Sequence, residues 1–334
     1  MLIGFGSLKG IHLERGPGRI PGVSHSEGGF VEYFDINEMK GFRIGSAQDP
    51  GAMTGVTVVI AENGAKGGVD VSGGGPASRE TLLCMPLTAD NPIDAVVLAG
   101  GSAFGLAAAD GVMRYLEERG IGYDTGYAKV PLVVQSCIYD LGIGSATTRP
   151  DAAMGYAACL DSERRAQDSG AVGAGAGATV GKLNGMASAE RSGLGLCAAR
   201  LDALEVGAVA IVNALGDVFD FETGEKLAGM KGARCEEALY RLAAPTDLFT
   251  GNTTVSCVVT NARLSKADCS KVAAMARAAY ARCISPVGTM ADGDTIYALA
   301  CGDVEADVNV VGTLAARALA RAIRDAVCYN QEKA

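Results

Sequence analysis

The stretch GNTTVSCVVTNA runs from Gly251 to Ala262, and a second stretch, DGDTIYALA, runs from Asp292 to Ala300. In the first stretch, two threonines precede a β-branched run, which is typical of a buried strand. In the second stretch, Asp292 and Asp294 stand where another strand begins. A hydroxyl group at one strand start and paired carboxylates at another predict a polar site, although turn chemistry alone also explains these residues.

Helical patterns follow both stretches. Ser265 and Asp268 form a capping box ahead of an apolar stripe, and a final amphipathic helix is predicted over roughly 308–328. Earlier in the chain, a buried strand over Ala95–Ala99 leads to two glycines, after which Ser102 stands where a helix N-cap is expected. Strands and helices alternate irregularly, which favours α/β layers over a helical bundle or a pure β-sandwich.

Two segments show no clear hydrophobic periodicity. Residues 1–35 are rich in Gly, Pro and polar groups and are interpreted as an N-terminal extension, which leaves 36–334 as a single domain. Residues 221–250 are interpreted as a surface linker. Glycine is also abundant elsewhere, with 46 among 334 residues, about twice the usual ~7%. Because many of these glycines lie in apolar segments, they indicate turns and closely packed layers.

Composition excludes several classes of protein. The formal net charge is -9, and the absence of a basic stripe argues against a nucleic-acid partner. No apolar run approaches the ~18 residues of a membrane span. The N-terminal residues lack a signal-peptide pattern, so a cytoplasmic location is predicted. The ten cysteines are scattered singly, which is typical of small buried apolar residues and not of zinc ligands or disulfides. They are Cys84, Cys137, Cys159, Cys197, Cys235, Cys257, Cys269, Cys283, Cys301 and Cys328.

Three familiar motifs match only in part. The loop that ends at Gly181–Lys182 has Ala176 in place of the first glycine of a Walker A motif, and Leu183 where Ser or Thr holds magnesium. The turn Gly100–Ser102 resembles a nucleophile elbow, but Phe104 occupies the second glycine position. The sequence has neither the glycine spacing of the dinucleotide-binding fingerprint nor the acidic residue that follows it in a βαβ unit. The sequence therefore predicts no cofactor.

Histidine usage limits the chemistry further. Only His12 and His25 are present, both in the extension, so Ser-His-Asp and Cys-His mechanisms lack a credible base and a multi-histidine metal site is excluded. A hydrolase with this sequence needs a nucleophile that is activated without imidazole. A threonine at a new N-terminus supplies its own base, because a free α-amine has a pKa of roughly 7.7–8.0. Thr253 acquires that amine only if the Asn252–Thr253 peptide is cut.

At this point the motifs resemble a known family. GNTTVSCVVTNA and DGDTIYALA, with TGVTVVI, GGGPASRE, LAGGSAFGLAAADGVMRYLEERGIG, CIYDL, RPD and GAGAGATVGK before them, resemble the self-processing DmpA-type peptidases. The resemblance covers about residues 36–302 in order and is closest to the nylon-oligomer hydrolase branch. It implies an αββα sandwich, with two sheets between helical layers, of the kind shared with ornithine acetyltransferases. It also implies a precursor that cuts itself into a long α chain and a short β chain.

The resemblance assigns the cleavage site and the nucleophile. Thr253 matches the family nucleophile, so the α chain would end at Asn252 and the β chain would begin at Thr253. Asn213, in IVNALGDV, matches the residue that holds the oxyanion or the substrate carbonyl. The chemistry of these residues agrees with the roles, since a threonine hydroxyl can attack its own preceding carbonyl and an amide NH₂ can donate to an oxyanion.

The resemblance also assigns the polar groups around the nucleophile. Lys182 matches a lysine beside it, Tyr139 an active-site tyrosine in a YD pair, and Asp292 and Asp294 paired acidic positions near the amine and hydroxyl. These groups suit charge stabilisation or general acid–base work. One departure is Gly288, where relatives often carry His; it is expected to alter the pocket and not the core chemistry.

Simpler interpretations and other functions stay open. On residue type alone, Thr253 is an ordinary strand residue, Asp292 and Asp294 belong to a turn, Asn213 is a buried hydrogen-bonding group, Lys182 lies at the surface and Tyr139 at the edge of the core. The same fold also suits an acyltransferase, and an unprocessed chain suits a binding protein. The resemblance predicts a homo-oligomer, a tetramer, acting on a small peptide or amide. The sequence does not say which amide.

Overall fold

A computed structural model describes residues 30–242 and 251–329 of the chain. Every β-strand that follows lies within these residues. In chain order the strands are β1 Glu32–Phe34, β2 Phe42–Asp49, β3 Thr54–Val71, β4 Ala77–Arg79, β5 Ile93–Ala99, β6 Tyr123–Asp124, β7 Lys129–Val130, β8 Val133–Cys137, β9 Thr179–Val180, β10 Glu190–Arg191, β11 Leu194–Leu201, β12 Leu204–Asn213, β13 Asp217–Phe219, β14 Lys226–Ala228, β15 Thr253–Ala262, β16 Ile284–Ser285 and β17 Thr295–Val304.

The helices lie between and after these strands. The α-helices are α1 Ala108–Glu117, α2 Ala152–Ser162, α3 Cys235–Leu242, α4 Lys266–Cys283 and α5 Val308–Cys328. Short 3₁₀ turns occupy Ile36–Glu38, Thr81–Cys84, Ser102–Ala107, Gly173–Gly175 and Met186–Ser188. Within the described residues, no helix is both long and apolar enough to cross a membrane.

The long strand β3 joins two sheets. Its C-terminal part pairs with β17 and continues through β15, β12 and β11 to β1, and we name this set sheet 1. Its N-terminal part pairs with β2 and β5 and continues through β8 to β4, and we name this set sheet 2. The register between β3 and β5 shifts between Ile60 and Ala65, where the strand passes from one sheet to the other.

Alternating side chains build three apolar layers from these two sheets. Along β17, Tyr297 and Leu299 face the layer between the sheets, whereas Ile296 and Ala298 face α4 and α5. The outer face of sheet 2 packs against α1 and α2. Strands buried on both faces read as continuous apolar runs, which is the pattern in the sequence. The order of layers is helix, sheet, sheet, helix, so the predicted αββα sandwich is confirmed.

Local sequence explains the two helices on sheet 1. The predicted capping box is present, since the Ser265 side chain accepts from the Asp268 N–H and the Asp268 side chain accepts from the Ser265 N–H. Helix α5 buries an alanine-rich face, and Gly195 of β11 lies so close to the Ala322 carbonyl that any side chain would collide with it. Small residues therefore let the helix backbone lie directly on the sheet.

Three local expectations need correction. Ser102 does not cap a helix; it has φ +54°, makes no capping bond and begins a 3₁₀ turn, and α1 starts only at Ala108. The proposed linker contains β14 and α3, while residues 243–250 lie outside the described residues. The alanine-rich composition predicts a helix from Ala152 to Ala166, but α2 ends at Ser162.

The N-terminal extension is described only in part. Residues 1–29, which include both histidines, lie outside the described residues. Strand β1 falls within the expected extension, yet Glu32–Phe34 pairs with β11 and belongs to sheet 1. The division of the chain at residue 36 stays a prediction. All ten cysteines lie in the described residues, carry free thiols, and seven of them are buried.

Candidate active site

Strand pairing brings the predicted residues to one edge of sheet 1. Strand β15 lies between β12, which is antiparallel to it, and β17, which is parallel. Parallel strands begin at the same edge, so Thr253 and the carboxylates that precede β17 meet there. An antiparallel neighbour ends at that edge, and Asn213, the last residue of β12, is directly opposite Thr253.

The peptide carbonyl of Asn252 is held by two donors. The backbone N–H of Gly293 donates to it at 2.9 Å, and the Thr253 hydroxyl donates to it at closer range. Asn252 also forms an isolated bridge with Asp292. The hydroxyl oxygen of Thr253 therefore lies against the carbonyl group that precedes it. The backbone N–H beside it occupies the place of an oxyanion donor.

Lys182 reaches this edge from the glycine-rich loop. The backbone N–H groups of Gly181 and Lys182 donate to the carbonyls of Gly216 and Leu215, which anchors the loop beside β12. The Lys182 Nζ atom then has three acceptors: the Asn213 carbonyl at 2.8 Å, the Asn213 Oδ1 at 2.8 Å and the Gly251 carbonyl at 3.2 Å. Three acceptors match the three protons of an ammonium group.

The charge of Lys182 is finely balanced. Burial lowers the pKa of its ammonium group to about 7, against the opposing influence of Asp292, Asp140 and Asp294. The side chain as a whole is half-buried, so it is the loss of water around the ammonium that disfavours the charged form. A lysine with this pKa can exchange a proton near neutral pH.

Asp294 has no exposed surface and is held by backbone donors. Its Oδ1 accepts from the Thr254 N–H at 2.6 Å, and its Oδ2 accepts from the Gly288 N–H at 2.9 Å. Burial, and then the charge of Asp292, raise the pKa of Asp294 to about 7. Gly288, the departure noted in the sequence, has φ +66°, a conformation that favours glycine.

Asp292 has different partners. The Thr289 hydroxyl and N–H donate to its Oδ2 at 2.6 and 3.0 Å. Burial raises the pKa of Asp292, while these bonds and Lys182 lower it. The charges of the two buried carboxylates and the lysine influence one another's pKa, so the three can act as a common acid–base group.

The amide of Asn213 is oriented by its neighbours. Its Nδ2 donates to the Tyr139 carbonyl at 3.0 Å, while its Oδ1 accepts from Lys182 and from the Thr179 N–H at 3.1 Å. The NH₂ group of Asn213 is therefore engaged with the Tyr139 carbonyl. All six residues expected at the site lie in this one region; Tyr139 contributes its carbonyl and also lines the adjoining cavity.

Sequence reasoning missed two residues of the site. Gly293 contributes a backbone N–H, which residue type cannot reveal. Asp140 is buried, accepts from the Thr54 hydroxyl at 2.6 Å and from the Gly101 N–H at 2.7 Å, and is close enough to Lys182 to influence its pKa. Burial raises the pKa of Asp140 itself. The sequence feature that could have indicated Asp140 is the YD pair, from which the resemblance assigns a role only to the tyrosine.

A cavity of about 420 Å³ adjoins the Asn252 side of this edge. Its walls are mostly apolar, and Lys182 and Asp140 are the charged groups among the described residues that line it. The lining residues are Tyr139, Asp140, Gly142, Ile143, Thr179, Lys182, Leu183, Gly185, Met186, Leu215, Gly251 and Asn252.

Solved structures share this fold. The chain matches a β-aminopeptidase from Burkholderia sp. with TM-score 0.62 and 19% identity, over 90% of this chain and 86% of that one. It matches an L-aminopeptidase D-Ala-esterase/amidase from Ochrobactrum anthropi, described as a variant of the Ntn hydrolase fold, with TM-score 0.62 and 15% identity, over 87% and 85% of the two chains. The chain therefore shares the fold of these two structures, the second of which is described as a variant of the Ntn hydrolase fold.

The family follows from sequence comparison. The model described as Peptidase family S58 matches residues 35–333, and the chain belongs to that family. An uncharacterized aminopeptidase from Mycobacterium bovis is 39% identical, over 89% of this chain and 94% of the relative. A 6-aminohexanoate-oligomer endohydrolase from Agromyces sp. is 31% identical, over 80% and 75%. The predicted family is confirmed, and the protein is a hydrolase of the peptidase and amidase class.

Proposed function

We propose that Thr253 is the nucleophile of a self-processing amide hydrolase and that the chain cuts itself between Asn252 and Thr253. One observation carries this proposal: the Thr253 hydroxyl lies against the Asn252 carbonyl, which also accepts the Gly293 N–H. The hydroxyl and a backbone donor thus converge on the oxygen of one carbonyl group, which supports acyl transfer at that group.

Self-cleavage then proceeds by acyl transfer within the chain. The Thr253 Oγ1 atom attacks the Asn252 carbonyl carbon, the bond from that carbon to the Thr253 nitrogen breaks, and the nitrogen gains a proton as the hydroxyl loses one. The product is an ester between Asn252 and the Thr253 side chain. Water hydrolyses this ester and leaves a carboxylate at Asn252 and a free α-amine at Thr253.

The base changes between the two reactions. In the uncut chain the Thr253 nitrogen is part of a peptide bond and cannot accept a proton, so a side chain must do so. Lys182, whose pKa is lowered to about 7 by burial, meets this requirement. After cleavage the new α-amine, with an ordinary pKa of roughly 7.7–8.0, takes over, and Lys182, Asp292 and Asp294 set its charge.

The processed enzyme repeats the chemistry on a substrate. The Thr253 hydroxyl attacks a substrate amide, the amine product leaves with a proton, and water releases the acyl group. A small peptide or amide is the substrate class that the family supports. The relatives' names include both an aminopeptidase and an oligomer endohydrolase. These activities differ in whether the acyl group carries a free ammonium. The tetramer and the cytoplasmic location stay predictions.

Intact mass spectrometry of matched valine variants tests the nucleophile. Thr253→Val removes the hydroxyl that contacts the Asn252 carbonyl, whereas Thr254→Val removes a buried hydroxyl that has no hydrogen-bond partner among the described residues. We expect two chains from the wild type and from Thr254→Val, with the shorter chain starting at Thr253, and one uncut chain from Thr253→Val. Cleavage of Thr253→Val at the same bond would refute the proposal. A wild type that stays uncut would favour a binding protein.

A further inference from the structure

We propose that Tyr280 is a positioning residue for the nucleophile: its hydroxyl group ties the start of β15 to the start of β17, which keeps Thr253 in place against the Asn252 carbonyl. The inference rests on the proposed function, because it concerns how Thr253 is held for its reaction. Tyr280 lies near the end of α4 and is 1% exposed. It acts through the backbone of the two strands and not by contact with the reacting atoms.

The nucleophile lies in a gap between β15 and β17. Regular pairing with β17 begins at Val255, and one isolated bridge joins Asn252 to the loop before β17. The two threonines between these points, Thr253 and Thr254, pair with β12 but are outside the ladder to β17. Because ladder hydrogen bonds fix the spacing of neighbouring strands, other contacts must fix it at the nucleophile.

Two side chains bridge this gap. The Asp294 carboxylate accepts from the Thr254 N–H at 2.6 Å, and the Tyr280 hydroxyl donates to the Thr254 carbonyl at 3.1 Å. The same hydroxyl is 3.4 Å from the Thr295 carbonyl of β17. Thr254 directly follows the nucleophile, and Thr295 directly follows Asp294. One phenol group therefore contacts the residues next to both.

The Tyr280 hydroxyl contributes geometry and not charge. The Ser256 Oγ atom of β15 is 2.8 Å from it. A phenol has one proton, so when that proton is donated to the Thr254 carbonyl, Ser256 donates to the phenol oxygen. Burial, and then the charge of Asp294, raise the pKa of Tyr280 well above its ordinary value. The phenol therefore stays neutral over the pH range in which Lys182 exchanges its proton.

The chain contains a second buried tyrosine that serves as a control. Tyr297 of β17 is 0% exposed, and its hydroxyl also has three partners. They are the Thr81 hydroxyl at 2.9 Å, the Ser136 hydroxyl at 2.8 Å and the Gln135 carbonyl at 3.1 Å. None of these partners adjoins the nucleophile in the chain. The two tyrosines thus match in burial and in number of partners, but their hydroxyls hold different segments.

The test compares the pH profile of self-cleavage in Tyr280→Phe and Tyr297→Phe, measured as the appearance of the chain that starts at Thr253. We expect the maximal rate of Tyr280→Phe to fall about 10- to 100-fold, since a displacement of about 1 Å at the reacting atoms has an effect of this size. The midpoint of its profile should not move, because no charge is removed. Tyr297→Phe should keep the wild-type rate and midpoint. Urea unfolding in the uncut Thr253→Val background should show a similar loss of stability from both changes.

A milder pair of substitutions decides the question if Tyr280→Phe does not fold. Ser256→Ala removes the hydroxyl that orients the Tyr280 phenol, and Ser136→Ala removes the equivalent hydroxyl at Tyr297. Ser256→Ala should slow self-cleavage about threefold or more, the effect of weakening one hydrogen bond. Ser136→Ala should not slow it.

The outcomes separate this inference from the proposed function. Equal rates in the two tyrosine variants, or in the two serine variants, would overturn the role of Tyr280 and leave Thr253 as the nucleophile. A shifted midpoint in Tyr280→Phe would also overturn it, because the phenol would then take part in proton transfer. A wild-type chain that never cuts itself would refute the proposed function, and the inference with it.

Discussion

Two loops hold the consecutive carbonyl groups of Gly251 and Asn252, next to the proposed cleavage site, and they do so with different kinds of donor. The loop that carries Lys182 holds the Gly251 carbonyl with a side-chain ammonium at 3.2 Å. The loop before β17, which we name the acid loop (residues 286–294), holds the Asn252 carbonyl with the backbone N–H of Gly293 at 2.9 Å. The first donor can lose its proton near neutral pH, whereas the second cannot.

Because of this difference, the two loops are suited to different chemical steps. Lys182 is suited to proton transfer because burial lowers its pKa to about 7. Gly293 is suited to stabilising an oxyanion because a backbone donor keeps its proton and needs no reorganisation. Side-chain substitution should therefore disable the lysine loop directly, while the acid loop should be sensitive to backbone shape and to the charge of its carboxylates.

The largest effect is expected from Lys182→Met. Loss of the proposed base should slow self-cleavage by about 10²–10⁴-fold, measured as the appearance of the chain that starts at Thr253. Lys266 supplies the matched control, because its Nζ also has three acceptors: the Thr88 and Ala89 carbonyls and the Thr88 hydroxyl. Lys266→Met should lower stability without a comparable loss of cleavage. Equal slowing in both variants would contradict a chemical role for Lys182.

Gly293→Ala should have the next largest effect. A methyl group at this position would lie 2.9 Å from the Thr253 Oγ1 and from the Gly75 carbonyl, so the loop must shift and the oxyanion donor with it. Self-cleavage should slow by about 10²-fold, the usual cost of losing one such donor. In the matched variant Gly75→Ala, the nearest atom would lie at 3.9 Å, so cleavage should continue normally. If Gly293→Ala cuts itself at the normal rate, the Gly293 N–H is not the oxyanion donor.

The carboxylates of the acid loop should make the free energy of unfolding depend on pH. Folding raises the pKa of Asp294 from its ordinary value of about 3.9 to about 7, so the folded chain binds this proton more tightly. Stability should therefore fall as pH rises from about 4 to 7. In the uncut Thr253→Val background, urea unfolding should show this fall in the free energy of unfolding, and adding Asp294→Asn should reduce the fall by roughly 4 kcal/mol over the window. If the free energy of unfolding depends on pH in the same way with and without Asp294→Asn, the raised pKa of Asp294 is contradicted.

The smallest effect is expected from Asp140→Asn. The amide oxygen can keep the bond from the Gly101 N–H, and the NH₂ group can donate to the Thr54 hydroxyl, so the change removes mainly a negative charge that favours the Lys182 ammonium. The pKa of Lys182 should fall, and the rise of cleavage rate with pH should move to lower pH by a fraction of a unit. Thr54→Val removes a hydrogen bond and no charge, so its pH profile should not move. A shift toward higher pH would contradict the assigned influence.

Much of the architecture was readable from patterns along the chain. The runs that follow Thr253 and Asp294 predicted β15 and β17, and the capping box placed the start of α4. The turn at Ser102 was not readable, because the backbone there adopts φ +54° and a 3₁₀ turn replaces the expected cap. Tertiary contacts, not local preference, decide such a conformation.

The sequence could predict those parts of the site whose chemistry resides in side chains. The resemblance indicated six residues; strand register explains why Thr253, Asn213 and the two aspartates meet at one edge, while Lys182 and Tyr139 reach it from loops. The donor of Gly293 was not readable, since every residue except proline has the same N–H. The engagement of the Asn213 NH₂ with the Tyr139 carbonyl depends on how sheet 1 and sheet 2 meet, which no local pattern records.

The central claim is that the Thr253 hydroxyl attacks the Asn252 carbonyl and forms an ester. Fresh wild-type precursor incubated with hydroxylamine, followed by mass spectrometry of both chains, tests this claim directly. The account predicts a long chain that ends in a hydroxamate at Asn252 and a short chain that starts at Thr253, because hydroxylamine intercepts the ester before water does. Cleavage at this bond with no hydroxamate at Asn252, or cleavage at a different bond, would contradict it.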